Sequence, residues 1–389
     1  MPGRGRLGRV LAGGAGVCLA AALLGSSVAA AAAAVPRPRV AATVAGSLFG
    51  VSCFSTGSCV AVGQRSSTAQ GPGGTLAEKW NGTKWSVVTS PNPAGSDGAR
   101  LGGVACTAAT SCLAVGNYRD GTSGDTLPMA EKWNGTAWSL VTVPAPSGST
   151  SAVLDGVACT GASNCFAVGN SMDNTLTERW NGAGWSIVSS PSPNPSKPNV
   201  LSGVACPSAS LCWAVGYTFP TNFTGSLTEK WNGTKWTVVH TPNSSAGELI
   251  GDACSSPTDC VSAGIGNGLF AIGQLWNGTT WAKALPKKPA GATESELNGV
   301  SCPAGGAACE SAGSFTDASG SPALAEGWNG TAWALQSTPA ISGSTFATLE
   351  SVSCTTASNC WAVGVNDTSS GSDPLIEKWN GTAWSVTAS

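Results

Sequence analysis

The sequence predicts an all-β fold: a seven-bladed β-propeller whose four-stranded antiparallel blades each carry one disulfide. Three observations lead to this prediction. A hairpin motif with two tryptophans recurs seven times, and a close pair of cysteines also recurs seven times. Each unit that contains one hairpin and one cysteine pair is about 50 residues long and holds four short strand-like runs, which is typical of a propeller blade.

The hairpin motif is clearest in residues 78–85, Glu-Lys-Trp-Asn-Gly-Thr-Lys-Trp. An alternating run ends at Trp80, Asn-Gly turns the chain, and Trp85 begins the return strand. Asn-Gly between alternating segments is typical of a type I′ turn, in which both residues have positive φ. The other copies are Trp133/Trp138, Trp180/Trp185, Trp231/Trp236, Trp276/Trp281, Trp328/Trp333 and Trp379/Trp384.

The repeat also predicts the blade boundaries. The first cysteines of successive units lie 53, 53, 47, 48, 48 and 52 residues apart. A single four-stranded sheet cannot bury both of its faces, whereas a closed ring of seven sheets does. An open solenoid of the same repeats is the alternative. After a short linker at 35–46, the predicted blades span about 47–99, 100–152, 153–199, 200–247, 248–295, 296–346 and 347–389.

The paired cysteines predict seven disulfides, because an even, closely spaced set in an exported chain forms such a framework. A zinc site is the alternative, but it needs histidines or Cys-x-x-Cys spacing, and the single histidine of the chain is His240. Each short bridge should contribute about 2 kcal/mol. The predicted pairs are Cys53/Cys59, Cys106/Cys112, Cys159/Cys165, Cys206/Cys212, Cys254/Cys260, Cys302/Cys309 and Cys354/Cys360.

Residues 1–34 are typical of a secretory signal peptide. Arg4, Arg6 and Arg9 precede an apolar run, and an Ala-rich stretch follows it. An uncleaved N-terminal anchor is the alternative. We therefore expect a secreted, extracellular protein, and its retention at the cell wall is left open. We also expect a monomer that has no membrane span once the signal is removed. The net charge of −2 and the lack of a basic stripe argue against a nucleic-acid partner.

These motifs resemble known propeller families. Glu-x-Trp-Asn-Gly-x-x-Trp followed by Ser-Pro or Thr-Pro is similar to the second half of a kelch blade. The run Val-x-Cys…Cys-x-Ala-Val-Gly resembles photosystem II assembly-factor propellers and sialidase-type (BNR) repeats. Residues 47–389 look most like secreted repeat proteins of high-GC, actinobacterial-type bacteria. The kelch double glycine and the Asp-box are missing, so the resemblance implies the fold and carries over no activity.

The loops divide into two sets that we expect on opposite faces of the disc. The cysteine loops and Trp-Asn-Gly turns are nearly constant, whereas the loops between second and third strands vary, and variable loops on a rigid scaffold usually carry binding residues. In the fourth blade, Tyr217, Phe219 and Phe223 are predicted in one exposed loop, where they form a candidate ligand-binding set for a sugar or a protein. The alternative is that they pack beneath that loop.

Blades five and six depart from the repeat together. Ser262 and Ser311 replace alanines, Gln274 replaces the recurring glutamate, and Glu310 follows Cys309. A pocket and compensating changes in the core are both open explanations. The recurring glutamates predict hydrogen bonds to backbone N–H groups rather than catalysis, because a catalytic pair needs two different environments. They are Glu78, Glu131, Glu178, Glu229, Glu326 and Glu377.

The sequence lacks the residues of common active sites. The single histidine, His240, stands alone at the end of a Val-Val-His-Thr-Pro strand, which argues against a Ser-His triad. A copper site would need two histidines and there is no calcium loop, so we expect no metal and no cofactor. The predicted function is a non-catalytic propeller that binds a polysaccharide or protein at the cell surface. One alternative is a glycan hydrolase or lyase that uses a carboxylate pair from Asp120, Asp125, Asp173 and Glu248. Another is a structural envelope protein without a small ligand.

Overall fold

A computed structural model describes residues 44–67, 73–219, 224–242, 247–306 and 308–388. Within these ranges the chain forms seven four-stranded antiparallel sheets, each made of four consecutive strands and each with one disulfide. The predicted fold class is therefore confirmed. The predicted signal peptide at 1–34 lies outside the described residues. Among the residues that are described, no helix has both the length and the apolar character needed to cross a bilayer.

The first and second strands of the blades form the inner half of each sheet. The first strands are β1 (Gly46–Ser55), β5 (Ser96–Ala108), β9 (Ala152–Gly161), β13 (Asn199–Ser208), β17 (Gly247–Ser256), β21 (Glu294–Ser301) and β25 (Ser344–Thr356). The second strands are β2 (Ser58–Arg65), β6 (Ser111–Asp120), β10 (Asn164–Ser171), β14 (Leu211–Thr218), β18 (Asp259–Gly266), β22 (Cys309–Thr316) and β26 (Asn359–Thr368).

The third and fourth strands form the outer half. The third strands are β3 (Thr75–Trp80), β7 (Thr126–Trp133), β11 (Asn174–Trp180), β15 (Gly225–Trp231), β19 (Ala271–Trp276), β23 (Ala323–Trp328) and β27 (Gly371–Trp379). The fourth strands are β4 (Trp85–Val88), β8 (Trp138–Val141), β12 (Trp185–Val188), β16 (Trp236–Val238), β20 (Trp281–Lys283), β24 (Trp333–Gln336) and β28 (Trp384–Val386).

The Trp-Asn-Gly hairpin differs from the predicted type I′ turn. Trp80 pairs directly with Trp85, so the loop has four residues rather than two. Only Gly82 has a positive φ, of 96°. The Asn81 side chain takes over the role of a second left-handed residue: its Oδ1 accepts hydrogen bonds from the N–H groups of Thr83 and Lys84, both at 3.0 Å. The prediction of a hairpin is confirmed, and its turn type was wrong.

The first strands pack against one another around the centre of the ring, and each contains a β-bulge. In β1 the bulge falls at Phe49, between the paired residues Leu48 and Gly50. There the backbones of β1 and β2 approach so closely that a Cβ on Gly63 would lie 1.9 Å from the Ser47 carbonyl oxygen. This contact explains the single glycine that ends every Ala-Val-Gly or Ser-Ala-Gly run.

Adjacent blades are joined by large side chains from the second strands. Phe166 lies 4.9 Å from Trp231 of the next blade, and Trp213 lies 4.8 Å from Trp276, measured between ring centroids. Phe166 and Trp213 are fully buried. The 14 hairpin tryptophans are all buried as well, which places the apolar core between the blades rather than within them.

The ring closes by packing, because each described sheet contains only its own four consecutive strands. Trp361 of blade seven lies 4.7 Å from Trp80 and 5.3 Å from Trp85 of blade one. The N–H groups of Val51 and Cys53 donate to the hydroxyls of Ser351 and Ser353 at 3.3 and 3.0 Å. Strand β1 also packs against β25 and β26. An open solenoid is thereby excluded.

Every predicted cysteine pair forms a disulfide, which joins the first strand of its blade, or in blade six the residue after it, to the second strand. In five blades the two cysteines are directly paired residues of the sheet, as Cys53 and Cys59 are. In the other two blades the register is interrupted or has ended where the bridge forms, at Cys206/Cys212 and Cys302/Cys309. Seven such bridges indicate an oxidising environment, as found outside the cell. The bridges are Cys53–Cys59, Cys106–Cys112, Cys159–Cys165, Cys206–Cys212, Cys254–Cys260, Cys302–Cys309 and Cys354–Cys360.

The second cysteine of each disulfide is buried in the structure. The exposed fraction is 1% for Cys212 and 0% for Cys260 and Cys360. Each of these three packs in an apolar cluster with both hairpin tryptophans of its own blade. Cys212, Cys260 and Cys360 are therefore structural residues that no ligand at the surface can contact.

Candidate functional site: the variable-loop face

One face of the ring is a uniform structural surface, which we call the constant face. It consists of the cysteine loops and the Trp-Asn-Gly turns. In five blades the indole N–H of the third-strand tryptophan donates to a carbonyl of the cysteine loop, as Trp80 does to Thr56 at 3.1 Å. The other donors are Trp133, Trp180, Trp276 and Trp379, at 3.0 to 3.3 Å. These bonds hold the constant loops in one conformation.

The opposite face, which we call the variable-loop face, carries the loops between second and third strands together with the connections between blades. Asn199 organises it between blades three and four, where it is fully buried. Its Nδ2 donates to the carbonyl of Asp173 at 2.8 Å, and its Oδ1 accepts from the hydroxyl of Thr218 at 2.9 Å. Asn267 of blade five donates to the carbonyl of Thr224 at 2.8 Å. The loops of blades three, four and five are therefore linked into one surface.

Two large apolar side chains on this surface occupy an unfavourable backbone conformation. Met172 has a φ of 53° and Leu269 a φ of 67°, the two non-glycine residues with positive φ in the described chain. Both are about half exposed, at 53% and 49%. A left-handed conformation costs an ordinary L-residue roughly 1–2 kcal/mol, and glycine or asparagine avoids most of that cost. Neither residue gains burial in return.

The structure places Tyr217 and Phe219 together beside these loops. Their rings meet edge to face, with centroids 5.9 Å apart, and both side chains are partly exposed. Tyr217 belongs to β14 rather than to a loop, because this strand extends to Thr218. The backbone carbonyl of Phe219 accepts a hydrogen bond from Asn194 of the preceding connection. Phe223, the third member of the predicted set, lies outside the described residues.

Sequence reasoning missed Met172 and Leu269. The signal for Met172 was the short distance between its flanking strands: β10 ends at Ser171 and β11 begins at Asn174, and these residues pair directly. A two-residue turn without glycine has to place an ordinary residue at positive φ. We call the half-exposed side chains of Met172 and Leu269, together with the partly exposed side chain of Phe219, the apolar arc.

The six recurring glutamates are fully buried between blades. The hydroxyl of Ser190 in the preceding connection donates to Glu229 at 2.6 Å, and that of Ser90 donates to Glu131 at 2.9 Å. The predicted backbone N–H donor is found at Glu326, which accepts from Lys287 at 2.8 Å. The remaining three glutamates, whose carboxylate oxygens have no partner among the described residues, are Glu78, Glu178 and Glu377.

Burial disfavours the charged form of these carboxyl groups. It raises the pKa to about 7 for Glu78 and Glu326, and to about 8 for Glu131, Glu178, Glu229 and Glu377. Hydrogen bonds oppose this rise at Glu131, Glu229 and Glu326. Each of these six glutamates therefore favours its neutral form at mildly acidic pH.

The departures in blades five and six have local partners. The Ser262 hydroxyl donates to Asp252 at 2.9 Å, directly across strands β17 and β18. The Ser311 hydroxyl donates to the Gly299 carbonyl at 2.8 Å. Gln274 reaches the Thr228 hydroxyl at 3.4 Å. These contacts are compensating changes in the interior of the fold, one of the two explanations that the sequence left open.

Two carboxylates of the variable-loop face, Asp120 and Asp317, are engaged in their own turns. Asp120 accepts hydrogen bonds from the N–H groups of Ser123 at 2.7 Å and Thr122 at 2.9 Å, which hold its pKa below the ordinary value. Asp317 accepts from Ser319 in the same manner, and its pKa is lowered too. In the described part of the chain, no group of three or more His, Cys, Asp or Glu residues has the geometry of a metal site.

Comparisons with known proteins agree with this architecture. No family model matches the chain, and no curated protein matches it in sequence. Among solved structures, YCF48 bound to D1 peptide has a TM-score of 0.53 at 12% identity over 90% of this chain and 98% of that one. Sqt1 from Chaetomium thermophilum has a TM-score of 0.51 at 11% identity, over 90% and 86%.

The six-bladed fucose lectin of Aleuria aurantia is more distant, with a TM-score of 0.48 at 13% identity over 72% of this chain and 92% of that one. Likeness at such identities shows the fold alone. The chain is therefore a seven-bladed propeller that is similar in structure to YCF48 and Sqt1, without an assigned family. The kelch and sialidase-type resemblance of its motifs stays a prediction.

Proposed function

We propose that this protein is a secreted, non-catalytic binding protein whose variable-loop face binds a protein partner through the apolar arc. The supporting observation is the strained backbone at Met172 and Leu269. Strain of this kind persists in proteins chiefly where function requires it. An exposed methionine and leucine at positive φ lower stability without adding to the core, so their benefit has to come from a contact outside the chain.

The chemistry of the apolar arc favours a protein over a polysaccharide. Sugar rings stack on exposed aromatic faces, but Tyr217 and Phe219 are only partly exposed and already contact each other edge to face. Aliphatic side chains such as Met172 and Leu269 are suited to filling pockets on a protein surface. The structural neighbour YCF48 was solved with a bound peptide, so this fold accommodates such a partner.

The experiment compares binding of two sets of variants to extracts of the producing cell's surface. Met172→Asn with Leu269→Asn removes the aliphatic groups and relieves the backbone strain, because asparagine tolerates positive φ. We expect this variant to be more stable to urea by about 1 kcal/mol for each site, yet to lose at least tenfold in affinity for its partner. A gain in stability excludes unfolding as the cause of lost binding.

The matched control replaces exposed aliphatic residues of the fourth strands, Leu140, Ile187 and Leu335, with serine. Each is 44% exposed, close to the exposure of the two arc residues. This control should bind like the wild type. The proposal is contradicted if both variants lose affinity for the partner equally, or if the asparagine variant binds the partner as tightly as the wild type. Sedimentation with insoluble chitin, cellulose and cell walls tests the polysaccharide alternative, and binding there that Phe219→Ala abolishes would favour it.

A further inference from the structure

We infer that the constant face binds a flexible anionic polymer of the cell surface, whose repeating charge is a phosphate or a carboxylate, along a row of cations. This inference concerns the face opposite the apolar arc and does not depend on the proposed function. The row arises from one position of the repeat, the residue before the third-strand tryptophan. That residue is basic in five blades: Lys79, Lys132, Arg179, Lys230 and Lys378.

Each of these cations is held at the boundary between two blades. Lys79 Nζ lies 5.1 Å from the centroid of Trp133 in the next blade, and Lys132 Nζ lies 5.6 Å from that of Trp180. Arg179 lies over Trp231, Lys230 over Trp276 and Lys378 over Trp80, at 5.4 to 5.9 Å. The indoles fix the positions of the charges but do not neutralise them, since an aromatic ring carries no net charge.

The five cations follow one another without a gap, through blades seven, one, two, three and four. Lys84 and Lys235, in the turns of blades one and four, add to the same side. Across the described cysteine loops and Trp-Asn-Gly turns, the one carboxylate is Asp259, in blade five, which accepts a hydrogen bond from Ser255 at 2.6 Å. Leu275 and Gly327 replace the cation in blades five and six, so the row has two ends.

The net charge of the chain conceals this asymmetry. Most acidic residues that are not buried lie on the variable-loop side, among them Asp97, Asp120, Asp173, Glu294 and Asp317. The disc is therefore positive on the constant face and negative on the variable-loop face. The cations form no basic stripe in the sequence, because successive members lie 53, 47, 51 and 148 residues apart and share one face only when the ring closes.

The position of the cations distinguishes between anionic partners. Four of the five cations are only partly exposed, Lys132 being the exception, whereas Lys84 and Lys235 are exposed on the turn tips, which a flat membrane reaches first. A small cleft between blades two and three shows the setting: Lys132 lines it with the hydroxyl-bearing residues Thr107 and Ser111. A flexible chain with charges at intervals can follow such grooves.

Nucleic acid fits this surface poorly. Proteins that bind single strands offer exposed aromatic rings on which bases stack. The 14 hairpin tryptophans near the constant face are all buried and already pack against each other. The surface therefore recognises charge without a base, which is the chemistry of a phosphodiester or uronate polymer.

The test measures binding of inorganic polyphosphate and of polygalacturonate to the mature protein at low salt. These two probes distinguish phosphate from carboxylate as the charged group. The variant carries Lys79→Gln, Lys132→Gln and Lys230→Gln. Since a lysine near an anionic surface contributes about fivefold in affinity, the triple change should weaken binding about 100-fold. Binding of the wild type should also fall as salt is raised.

The matched control removes three lysines from the connections of the variable-loop face: Lys197→Gln, Lys287→Gln and Lys288→Gln. It has the same net charge as the first variant and should bind within about twofold of the wild type. Lys79→Arg with Lys132→Arg and Lys230→Arg keeps charge and stacking and should also bind normally. If the glutamine triple variant fails to fold, Lys84→Gln with Lys235→Gln should weaken binding about 25-fold instead.

Three outcomes overturn the inference. Equal weakening in the constant-face and variable-face variants would show nonspecific attraction. Tighter binding of single-stranded DNA, or of phosphatidylglycerol vesicles, than of either polymer at equal charge would assign the surface to another partner. No binding of either polymer at low salt would remove the site. None of these outcomes affects the asparagine variants of Met172 and Leu269, so the two proposals fail separately.

Discussion

Two neighbouring blade interfaces differ in the side chains that fill them: one is packed with aromatic rings and the other with hydrogen-bonded polar groups. Between blades seven and one, Trp361 packs against Trp80 and Trp85, and Lys378 lies over the rings. Between blades six and seven, Glu310 occupies the position of Trp361 and Gly327 that of Lys378. The repeat therefore determines where a residue lies in its blade, but the residue type at that position determines which interactions it makes.

The polar interface depends on one inserted side chain. Gln336 hydrogen-bonds Glu310 and accepts from the indole N–H of Trp384 at 2.6 Å. A Cβ at Gly327 would lie 2.6 Å from Gln336 Nε2, so glycine makes the space that this network needs. The apolar interface closes the ring through three packed indoles, and the buried N–H groups of Trp85 and Trp361 have no acceptor among the described residues. Its stabilisation therefore comes from ring packing rather than from hydrogen bonds.

The largest expected effect comes from removing that wedge. Trp361→Ala should lower the free energy of unfolding by about 4 kcal/mol, the usual cost of deleting a buried tryptophan, as measured by urea denaturation. Trp213→Ala, at the same position between blades four and five, should cost a similar amount. Backbone amide hydrogens of β1 and β27 should exchange faster in Trp361→Ala, through local opening that precedes global unfolding. Trp213→Ala should not show this faster exchange in β1 and β27. Identical exchange in the two variants would show that closure is no weaker than any other interface.

A second effect sharpens the contrast through pH. Burial raises the pKa of Glu377, which faces blade six, to about 8, from 4.5 in the unfolded chain. The folded state binds this proton more tightly than the unfolded chain does, so proton binding by Glu377 favours folding. This contribution to the free energy of unfolding is complete below pH 4.5 and is lost as pH rises to about 8. Glu377→Gln should therefore match the wild type at pH 4.5. At pH 9 it should be more stable by roughly 3 kcal/mol, since each pKa unit is worth 1.36 kcal/mol and water entry returns part of it.

Gln274 occupies the equivalent place in blade five, so the ring already accepts an amide there. The control is Leu335→Ala, which removes an exposed side chain that does not titrate. Its unfolding free energy should follow the pH profile of the wild type. A Glu377→Gln profile parallel to that of the wild type from pH 4.5 to 9 would refute the assignment of a buried, protonated carboxyl group.

The smallest of these effects concerns the polar network itself. Gln336→Ala leaves the Trp384 N–H and the Glu310 carboxylate without their partner, and should cost about 2 kcal/mol in urea unfolding. The control on the same strand is Leu335→Ala, which should stay within 0.5 kcal/mol because this side chain is exposed. A cost at Gln336 no larger than that at Leu335 would mean that the network adds no stability.

The features that the sequence predicted well are those written into every repeat. Blade number, strand order and disulfide pairing follow from the spacing of cysteines and tryptophans, because seven copies of one pattern average out local ambiguity. The turn type was missed since it depends on the Asn81 side chain, which hydrogen-bonds the backbone and spares Asn81 a positive φ. Tyr217 was assigned to a loop because strand length varies where the repeat does not constrain it.

Contacts between blades were beyond sequence reasoning. Glu131 and Glu178 occupy the same position, yet only Glu131 meets a hydroxyl, that of Ser90. The residue that corresponds to Ser90 in the next connection is Val143, which packs in the apolar cluster of Leu176 and Trp180. A partner of this kind depends on the preceding blade, about 40 residues away. The strain at Met172 and Leu269 was equally hidden, because it is a property of the backbone.

Each sheet consists of four consecutive strands, so the order of the units along the chain can be changed without dividing a sheet. The cut between one unit and the next falls between complete sheets at every one of the seven boundaries. A circular permutant that starts at any blade therefore keeps every strand beside its original hydrogen-bonding neighbours. Duplication or loss of one unit likewise leaves all other sheets whole and changes only the curvature at which the ring must close.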